Sequence, residues 1–551
     1  MLAQLAAIYM AQRVSAVQLH TRIVGNRTAY EMLLFRLFLS LLFSALPQLL
    51  DGARILAIFP FPGPSQYINV VPYLKGLAAR GHQVTSVNAF PQKKPVENFH
   101  DLVVPEVFQS YEEIIADLDI SRNSWQENSF INDFFLSVTK TVLQNAKVQQ
   151  ELLQPGKAQF DLIIVEALRT DALYGFAAHF DAPIIGISTF GTDWNIDELV
   201  GNTSPISYIP LVTVGLTDHM TYWERVHNFV ETAIAWLNWK LVYVPLQVKL
   251  YEQYFPHIAH KKPLVELSKN FSLVLLNQHF SLSFPRPYVP NMIEVGGLHI
   301  AHKPAPLPKA MEEFIQGAGS AGVIYFSLGS NIKSKDLPDE RKQMLLQALA
   351  SLPQRVLWKF EDDQLPNKPP NVFISKWFPQ PDILAHPNVK LFITHGGLLS
   401  TIESIHHGKP VLGLPFFYDQ FLNVERAKQA GFGLALDHKE MTGAEFVHTI
   451  KRLINEPKFS ETAKVMSARY RDQPMSPQET AIWWTEYVLR HKGAPHMRIA
   501  AQDLSFVAYH SLDVVGLFVG VAVLILVIIT YLLQKLLCSR GNAGKQKLKS
   551  Q

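Results

Sequence analysis

Residues 377–420 read WFPQPDILAHPNVKLFITHGGLLSTIESIHHGKPVLGLPFFYDQ, and this stretch decides the fold. An apolar strand predicted at Val389–Thr394 runs into His395-Gly396-Gly397, where a helix with one apolar face begins. A strand that ends in glycines at a helix N-terminus presents backbone N–H groups and the positive end of the helix dipole. Such a turn binds phosphate or diphosphate, so the sequence predicts an anion site here.

Polar and aromatic side chains around this turn fit the remainder of a nucleotide. Trp377 can stack on a flat base, and Gln380 can bind the edge of that base through its amide. Ser400 lies in the first turn of the predicted helix. Asp419 and Gln420 follow the next predicted strand, where side chains reach a ligand at the carboxyl ends of parallel strands. Together these residues predict a nucleotide-sugar site.

The same block resembles the donor-site signature of the UDP-glycosyltransferases, and the resemblance covers nearly the whole chain. The segments ILAIFPFPGPSQYINVVPYLKGLAARGHQVT and FDLIIVEALRTDALYGFAAHFDAPIIGIST are similar to insect members, as are the membrane segment and the tail. The resemblance implies an α/β GT-B fold, in which two facing Rossmann-like domains each contain a parallel sheet. It also implies an inverting hexosyltransferase that uses a UDP-sugar.

The resemblance assigns roles to individual residues of the donor block. The matching tryptophan and glutamine of the family contact uracil and ribose, and here they are Trp377 and Gln380. Glu403 matches the acid that binds both ribose hydroxyls, since a carboxylate accepts two hydrogen bonds side by side. Asp419 and Gln420 are implied to bind sugar hydroxyls. The diphosphate is implied to contact Ser327, Ser330, His395, Gly396, Gly397 and Ser400. The alternative is that Trp377 is a core residue and Glu403 a solvated helix residue.

A metal ion is not predicted at this site. Glycosyltransferases that use Mn²⁺ or Mg²⁺ need a D-x-D carboxylate pair, whereas amides and a histidine bind diphosphate without one. Asp117-Leu118-Asp119 matches that string, but it lies in a predicted helical stretch far from residues 377–420. A solvated helix face is the better interpretation of these two carboxylates.

The acceptor side departs from the family pattern at one residue. The family places a histidine base in a G-x-S-H segment after the first strand, and an acid orients that histidine. This chain reads Gly63-Pro64-Ser65-Gln66, and an amide neither accepts nor relays a proton near neutral pH. Glu166 aligns with the acid, and Asp171 follows it a little over one helical turn later.

Three interpretations of Gln66 follow. The enzyme acts on acceptors that need little deprotonation, such as amines, thiols or acidic phenols. Alternatively, Glu166 serves as a weak base, with an unperturbed pKa of about 4.3. In the third, the chain binds a UDP-sugar or a lipophile without turnover, as a receptor-like protein. A general base contributes about 10² to 10⁴-fold, so its loss slows an enzyme without abolishing it. The intact donor block favours catalysis.

The length, the net charge and the C-terminal sequence of the chain limit which other classes of function are possible. A chain of 551 residues with a net charge of +3 is long enough for two or three domains and carries no basic stripe for nucleic acid. Val514–Leu533 is an uncharged run of the length of one bilayer span, and a single span excludes a transporter. Basic residues without acids follow it, which predicts a cytoplasmic tail and lumenal domains. They are Lys535, Arg540, Lys545, Lys547 and Lys549.

Both ends of the chain carry targeting signals. Lys547 to Gln551 fit the K-x-K-x-x pattern of retrieval to the endoplasmic reticulum. Residues 32–50 contain Arg36 followed by an apolar run, and the small residues Gly52-Ala53 come next, which is typical of a cleaved signal peptide. Residues 1–31 precede this signal, and the hypothesis is that Met32 is the true initiator. Cys538 is the single cysteine, so the predicted lumenal part has no disulfide.

The alternation of apolar strands and helices predicts the domain organisation. We expect a signal segment at 1–52, an acceptor-binding domain at 53–296, a UDP-sugar-binding domain at 297–490, a connection at 491–513, a membrane helix at 514–533 and a tail at 534–551. Residues after 465 are expected to cross back and brace the first domain. The aromatic stretch 201–255 is interpreted as helical, on the acceptor side and partly facing the membrane. Sequons at Asn202 and Asn270 are candidate N-glycosylation sites.

The resemblance implies a range of substrates. The donor is UDP-glucose or UDP-glucuronic acid, with glucose preferred. The acceptors are small lipophilic molecules such as plant toxins, pigments, hormones or insecticides, as in detoxification. A homo-oligomer is compatible with the sequence.

Overall fold

A computed structural model describes residues 52–116, 123–154, 156–301 and 303–548 of the chain. Some predictions fall outside these residues. They concern the extension and signal peptide before residue 51, the D-x-D string at 117–119, and the last three residues of the tail.

The first sheet contains seven parallel strands in the order β3-β2-β1-β4-β5-β6-β7. The strands are β1 (Arg54–Phe59), β2 (Gln83–Asn88), β3 (Phe99–Val103), β4 (Leu162–Glu166), β5 (Ile184–Ser188), β6 (Phe271–Leu276) and β7 (Met292–Glu294). Their helices are α1 (Pro64–Ala79), α2 (Val107–Ala116), α3 (Ser124–Gln144), α4 (Ala146–Val148), α5 (Gly175–Phe180), α6 (Trp194–Val200), α7 (Tyr222–Asn238), α8 (Val244–Tyr254), α9 (Pro256–Ala259) and α10 (Leu264–Leu267). Two apolar clusters cover this sheet, as parallel sheets require.

The second sheet contains six parallel strands in the order β10-β9-β8-β11-β12-β13. The strands are β8 (Val323–Ser327), β9 (Arg355–Lys359), β10 (Val372–Ser375), β11 (Val389–Thr394), β12 (Val411–Gly413) and β13 (Gly433–Ala435). Their helices are α11 (Lys309–Gln316), α12 (Asp339–Ala350), α13 (Gln380–Ala385), α14 (Leu398–His406), α15 (Gln420–Gln429), α16 (Gly443–Asn455) and α17 (Pro457–Arg471). Apolar clusters again cover both faces, which confirms the predicted pair of parallel sheets.

Three further helices follow the second sheet: α18 (Pro477–Arg490), α19 (Phe506–Tyr509) and α20 (Leu512–Leu548). Helix α18 returns to the first sheet and packs on α1. Tyr73 Oη lies 2.6 Å from Thr485 Oγ1, and Gln478 Nε2 donates to the carbonyl of Pro72 at 2.8 Å. Ile482 joins the apolar cluster of the first sheet. The chain therefore crosses back to the first domain, as the sequence predicts.

Helix α20 contains the predicted membrane segment. Within the described part of the chain, Leu512–Leu537 is long and apolar enough to cross a bilayer, and none of its most apolar window is buried. This confirms the predicted C-terminal apolar helix.

One helix begins earlier than predicted. The apolar periodicity predicts a helix at Val71–Arg80, whereas α1 begins at Pro64. Proline is favoured in the first helical turn because its φ is preset and its missing N–H has no partner there. As a consequence Gln66 lies in the first turn of a helix rather than in a loop.

Candidate active site

The candidate site lies where the strand order of each sheet reverses. The reversals fall between β1 and β4 and between β8 and β11, the positions at which open α/β sheets bind ligands. A cavity of about 350 Å³ is lined by residues that follow the strands at both points. The two domains therefore share one cleft, with a polar wall from the second domain and an apolar wall from the first.

His395 follows β11 at the centre of the polar wall. A Cβ atom at Gly329 or Gly397 would collide with its imidazole, so both glycines are needed for the ring to fit. Burial, together with the charge of Lys359, lowers the pKa of His395 to about 4. The imidazole is therefore neutral at pH 7 and carries one N–H. Its buried Nδ1 has no hydrogen-bond partner within the described residues.

Glu403 on α14 is buried and held on both sides. Its Oε1 accepts a hydrogen bond from His299 Nε2 at 2.8 Å, and its Oε2 accepts one from Gln380 Nε2 at 2.7 Å. Each carboxylate oxygen has two acceptor positions, so both can still accept a ribose hydroxyl. This burial excludes the alternative that Glu403 is a solvated helix residue.

Gln380 connects several groups of the polar wall. Its Oε1 accepts from Tyr325 Oη at 3.1 Å, while its Nε2 donates to Ser400 Oγ at 2.9 Å as well as to Glu403. The amide thus positions two residues that the sequence assigns to the ribose and the diphosphate. The predicted contact of Gln380 with the nucleotide stays a prediction, and positioning is the role that its contacts favour.

Trp377 is a surface of the cleft rather than a core residue. Its side chain is 57% exposed and lines the cavity, so the core alternative is wrong. Lys359, at the end of β9, lies 5.9 Å above the indole ring and pairs with Glu361 at 2.6 Å. Lys359 is itself buried and lines the cleft, which gives the polar wall a cation.

Asp419 and Gln420 line the cleft and are both fixed by the protein. Asn423 Nδ2 donates to Asp419 Oδ2 at 2.7 Å and to the carbonyl of Gly396 at 3.0 Å. Burial raises the pKa of Asp419 to about 6. Gln420 Oε1 accepts two backbone N–H groups, which leaves Nε2 as the atom of this amide that can donate to a ligand. Tyr418, which directly precedes Asp419, has a φ of 58°. This is a strained conformation of the kind that clusters at functional sites.

The glycine turn differs in one detail from the prediction. The N–H of Gly396 donates to Thr394 Oγ1 at 3.2 Å, so it is already occupied, and Gly396 does not line the cleft. Gly397 does line it, at the N-terminus of α14. Ser327 and Ser330 line it from the end of β8, as predicted from their position.

The opposite wall is apolar and aromatic. Phe61, Phe134 and Phe135 form a cluster with ring centroids 5.0–5.8 Å apart. Further apolar side chains line the same wall: Ile68, Tyr111, Phe130, Ile131, Leu168 and Phe190. A wall of this composition suits a lipophilic ligand, with few polar groups to orient it.

Gln66 lies on this wall at the start of α1. It is buried, lines the cleft, and its Oε1 accepts from Ser65 Oγ at 2.8 Å. A Cβ at Gly63 would collide with the ring of Phe61 and come within 2.7 Å of Gln66 Oε1. The turn therefore places an amide, which cannot act as a base, on the wall of the cleft, and the equivalence of Gln66 with the family histidine stays a prediction.

Glu166 lies behind the cleft wall. Its Oε1 accepts from Thr189 Oγ1 at 3.1 Å, and Thr189 rather than Glu166 lines the cleft. Burial raises the pKa of Glu166 to about 8, although the hydrogen bonds from Thr189 and from the N–H of Phe61 oppose this rise. The ordinary pKa expected from the sequence is therefore wrong, because the carboxyl group is desolvated.

Asp171 is not brought to the cleft. Arg169 has a φ of 49° and turns the chain, so that Asp171 begins a 3₁₀ turn away from the cavity. There Tyr243 Oη donates to Asp171 Oδ1 at 3.3 Å, and burial raises the pKa of Asp171 to about 7. The sequence places Asp171 a little over one helical turn after Glu166, and the turn at Arg169 breaks this spacing.

The two candidate glycosylation sites differ in accessibility. Asn202 Nδ2, the atom that carries a glycan, donates to Asp197 Oδ1 and to the carbonyls of Thr203 and Pro287. Asn270 is exposed at the start of β6. The geometry favours Asn270, and modification of either residue stays a prediction.

Comparison with known proteins decides the family. A family model described as UDP-glucoronosyl and UDP-glucosyl transferase matches residues 65–547. The chain belongs to this UDP-glycosyltransferase family. UDP-glycosyltransferase UGT5 of Dactylopius coccus is 37% identical over 484 residues, which are 87% of this chain and 91% of that protein. UDP-glucuronosyltransferase 2A3 of Cavia porcellus is 33% identical over 488 residues, which are 85% of this chain and 90% of that protein.

Solved structures agree with the fold. The calicheamicin glycosyltransferase CalG4 matches with a TM-score of 0.53 and 17% identity, over 80% of this chain and 99% of that one. The glycotransferase of kitacinnamycin matches with a TM-score of 0.51 and 17% identity, over 79% and 99%. The fold is therefore GT-B, and the UDP-glycosyltransferase described here is an enzyme that uses a UDP-sugar donor and an acceptor substrate.

Four residues of this UDP-glycosyltransferase site were missed from the sequence. Thr189 and Lys359 stand at the carboxyl ends of β5 and β9, so the positional rule used for the donor block could have found them. His299 and Asn423 act on Glu403 and Asp419 through tertiary contacts, which no local pattern indicates. Within the described residues, no group of three His, Cys, Asp or Glu side chains is placed to hold a metal ion, and independence from metal stays a prediction.

Proposed function

We propose that this enzyme transfers glucose from UDP-glucose to small lipophilic acceptors whose nucleophile needs little deprotonation. The observation that supports the proposal is the shared cleft, in which Gln66 lies on the aromatic wall that faces the polar wall; the family resemblance implies a histidine base at this position. Amines and acidic phenols fit this chemistry best. The proposal keeps residues 53–296 as the acceptor domain and residues 297–490 as the donor domain.

The chemistry follows from these groups. The acceptor heteroatom attacks the anomeric carbon as the bond from that carbon to the diphosphate oxygen breaks, which inverts the configuration. Neutral His395, the N-terminus of α14 and Lys359 would stabilise the charge that develops on the leaving diphosphate. A neutral amine attacks without prior deprotonation and loses its proton to water afterwards. An aliphatic alcohol must lose its proton during attack, and Gln66 cannot take it.

The cellular setting follows from the two ends of the chain. We propose a single-pass protein of the endoplasmic reticulum, with the cleft in the lumen and the basic tail in the cytoplasm. The apolar helix α20 supports membrane attachment. The charge difference across the span supports the orientation.

The test is release of UDP from UDP-glucose by membranes that contain the wild type or Gln66→His. Each is supplied with an arylamine, a simple phenol and an aliphatic alcohol. We expect the wild type to use the amine and the phenol, and Gln66→His to gain the alcohol by about 10² to 10⁴-fold. Gln66→Asn is the matched control, because it retains an amide and should gain nothing.

Two outcomes would contradict the proposal. If the wild type uses the alcohol as efficiently as Gln66→His does, the wild type must have another base. If the wild type binds UDP but transfers sugar to none of the acceptors, while Gln66→His is active, the wild-type protein binds a UDP-sugar without turnover. Substituting UDP-glucuronic acid as the donor in the same assay identifies the sugar.

A further inference from the structure

Helix α7 (Tyr222–Asn238) buries three polar side chains and exposes most of its large apolar ones, with Arg225 and His227 exposed beside them. Its buried face contains Asn228, Thr232 and Asn238. Large apolar side chains are exposed on the opposite face and in the turn that follows: Tyr222, Trp223, Val226, Phe229, Val230, Trp236, Leu237 and Leu241. A helix on the surface of a water-soluble domain shows the reverse pattern. The outer face of α7 therefore fits an apolar surrounding.

The exposed side chains form a continuous stripe. Tyr222, Val226 and Val230 recur at helical spacing, with Phe229 and Leu237 on the same side of the helix. Trp223 is 76% exposed and Phe229 is 60% exposed. Leaving apolar area in water forgoes about 25 cal/mol per Å², so a contiguous stripe marks an interaction site.

Hydrogen bonds on the inner face fix this orientation. Asn228 Nδ2 donates to the carbonyls of Ile206 and Ile209, and its Oδ1 accepts the N–H of Leu211 at 2.8 Å. Rotating the helix to bury its apolar face would leave these buried polar groups unpaired, which is unfavourable. The hydrogen bonds of the inner face thus hold the stripe in its exposed orientation.

Asn238 anchors the other end of the helix. Its Nδ2 donates to Ser129 Oγ at 2.8 Å, and its Oδ1 accepts from Asn132 Nδ2 at 2.6 Å. Both partners belong to α3, so the inner face is held at its two ends by separate parts of the first domain.

The C-terminal end of the stripe lies near the segment that leads into the membrane helix. Trp236 Nε1 and Lys240 Nζ both contact the carboxylate of Glu198, at 3.3 and 3.1 Å. The adjacent residue, Leu199, accepts a hydrogen bond from Gln502 Nε2 at 3.0 Å through its carbonyl. Gln502 shortly precedes Leu512, where the membrane helix begins. The C-terminal end of α7 therefore lies beside the chain as it approaches the bilayer.

We propose that the outer face of α7 lies in the interface of the bilayer that α20 spans. Tyr222, Trp223 and Trp236 are the side chains that prefer the boundary between headgroups and acyl chains. Val226, Phe229, Val230 and Leu237 would enter the acyl boundary, as in helices that lie in the membrane plane. The first domain is thereby held on the membrane at two places, by α20 and by α7.

The test uses the full chain in nanodiscs, with Cys538→Ser removing the native thiol. A single cysteine, Phe229→Cys in one sample and Val465→Cys in the other, is labelled with an environment-sensitive fluorophore. Val465 is the matched control, because it is an exposed apolar residue of α17. Lipids with a quencher on the acyl chain should quench the label at 229 several-fold more than the label at 465. Retained UDP binding shows that each variant is folded.

Equal quenching at the two positions would overturn the proposal. A second copy of the chain is the competing occupant of the stripe. It would give disulfide cross-linking through Phe229→Cys between protomers without preferential quenching, and this result also overturns the proposal.

Discussion

His299, at the start of the second domain, forms a hydrogen bond with Glu403 of the donor-side helix α14. The 2.8 Å contact is buried, and it sets one oxygen of a carboxylate that the family assigns to ribose. The role of His299 is therefore to position Glu403, and removing it should weaken donor binding more than it slows the chemical step.

We predict that His299→Phe raises the KM for UDP-glucose and leaves kcat within a few-fold. A hydrogen bond to a charged group contributes about 1.5–3 kcal/mol, which corresponds to about 10- to 100-fold in KM. His299→Gln retains a donor and should recover most of the affinity. With a donor that lacks the ribose hydroxyls, wild type and His299→Phe should become alike. An equal loss for both donors would indicate a general structural defect instead.

Glu166 makes stability depend on pH. Its pKa rises from 4.5 to about 8 on burial, so between these values the native state binds more protons than the unfolded state. The free energy of unfolding therefore falls as pH rises through this window, by about 1.4 kcal/mol per pH unit for this one group. Stability that is present below pH 4.5 is lost as pH approaches 8.

We predict that Glu166→Gln removes this contribution. The variant should gain stability relative to the wild type as pH rises from 5 to 8, measured by urea unfolding of the part outside the bilayer. The exposed Glu97→Gln is the control and should follow the wild type at every pH. If the difference between Glu166→Gln and wild type does not change with pH, Glu166 is not protonated in the folded state.

At the scale of elements, several buried strands could be predicted from the sequence. The bounds of β1, β8 and β11 match the prediction because parallel strands buried on both faces read as continuous apolar runs. The edge strand β3 was missed because its sequence, FHDLV, is half polar, and Asp101 within it binds the side chain of Asn88. Edge strands β7 and β13 have three residues each, too few to give a period.

The same reasoning explains which site residues were predicted. Residues that follow a strand, such as His395 and Asp419, are found because strand ends meet at one edge of a sheet. The contact of His299 with Glu403 spans 104 residues of sequence, and a local pattern contains no information on it. The error at Asp171 has the same origin, since the turn at Arg169 breaks the assumed helical spacing.

Helix α18 is the element that ties the chain ends to the first sheet. We predict that Ile482→Ala destabilises the protein by about 2–5 kcal/mol, because Ile482 is buried against α1 and its removal leaves a cavity. The measurement is chemical unfolding in nanodiscs. Val465→Ala on α17 is the control, since Val465 is half exposed and should cost little. A cost for Ile482→Ala no larger than that of the control would mean that α18 does not hold the first domain.

For the whole molecule, contacts across the cleft couple the two domains. Tyr470 Oη donates to the carbonyl of Gly296 at 2.5 Å, and Gln429 Nε2 donates to Asp218 Oδ1 at 3.0 Å. The rings of Phe190 and Tyr418 meet edge to face at 5.3 Å. Together with the packing of α18 on α1, these contacts raise the free energy of unfolding either domain alone, because unfolding one domain would expose groups that the other buries.

We therefore predict one cooperative thermal transition for the part outside the bilayer, and UDP should raise its Tm. A ligand at 100 times its Kd contributes about 2.7 kcal/mol to the native state. The contacts between the domains let this contribution stabilise both of them, even though the site predicted for UDP lies chiefly in the second. Glu403→Gln should keep the single transition and lose much of the UDP shift, because the amide group donates on one side where the carboxylate accepts on both. Two transitions, of which UDP moves one, would show that the domains unfold independently and that the contacts across the cleft contribute little.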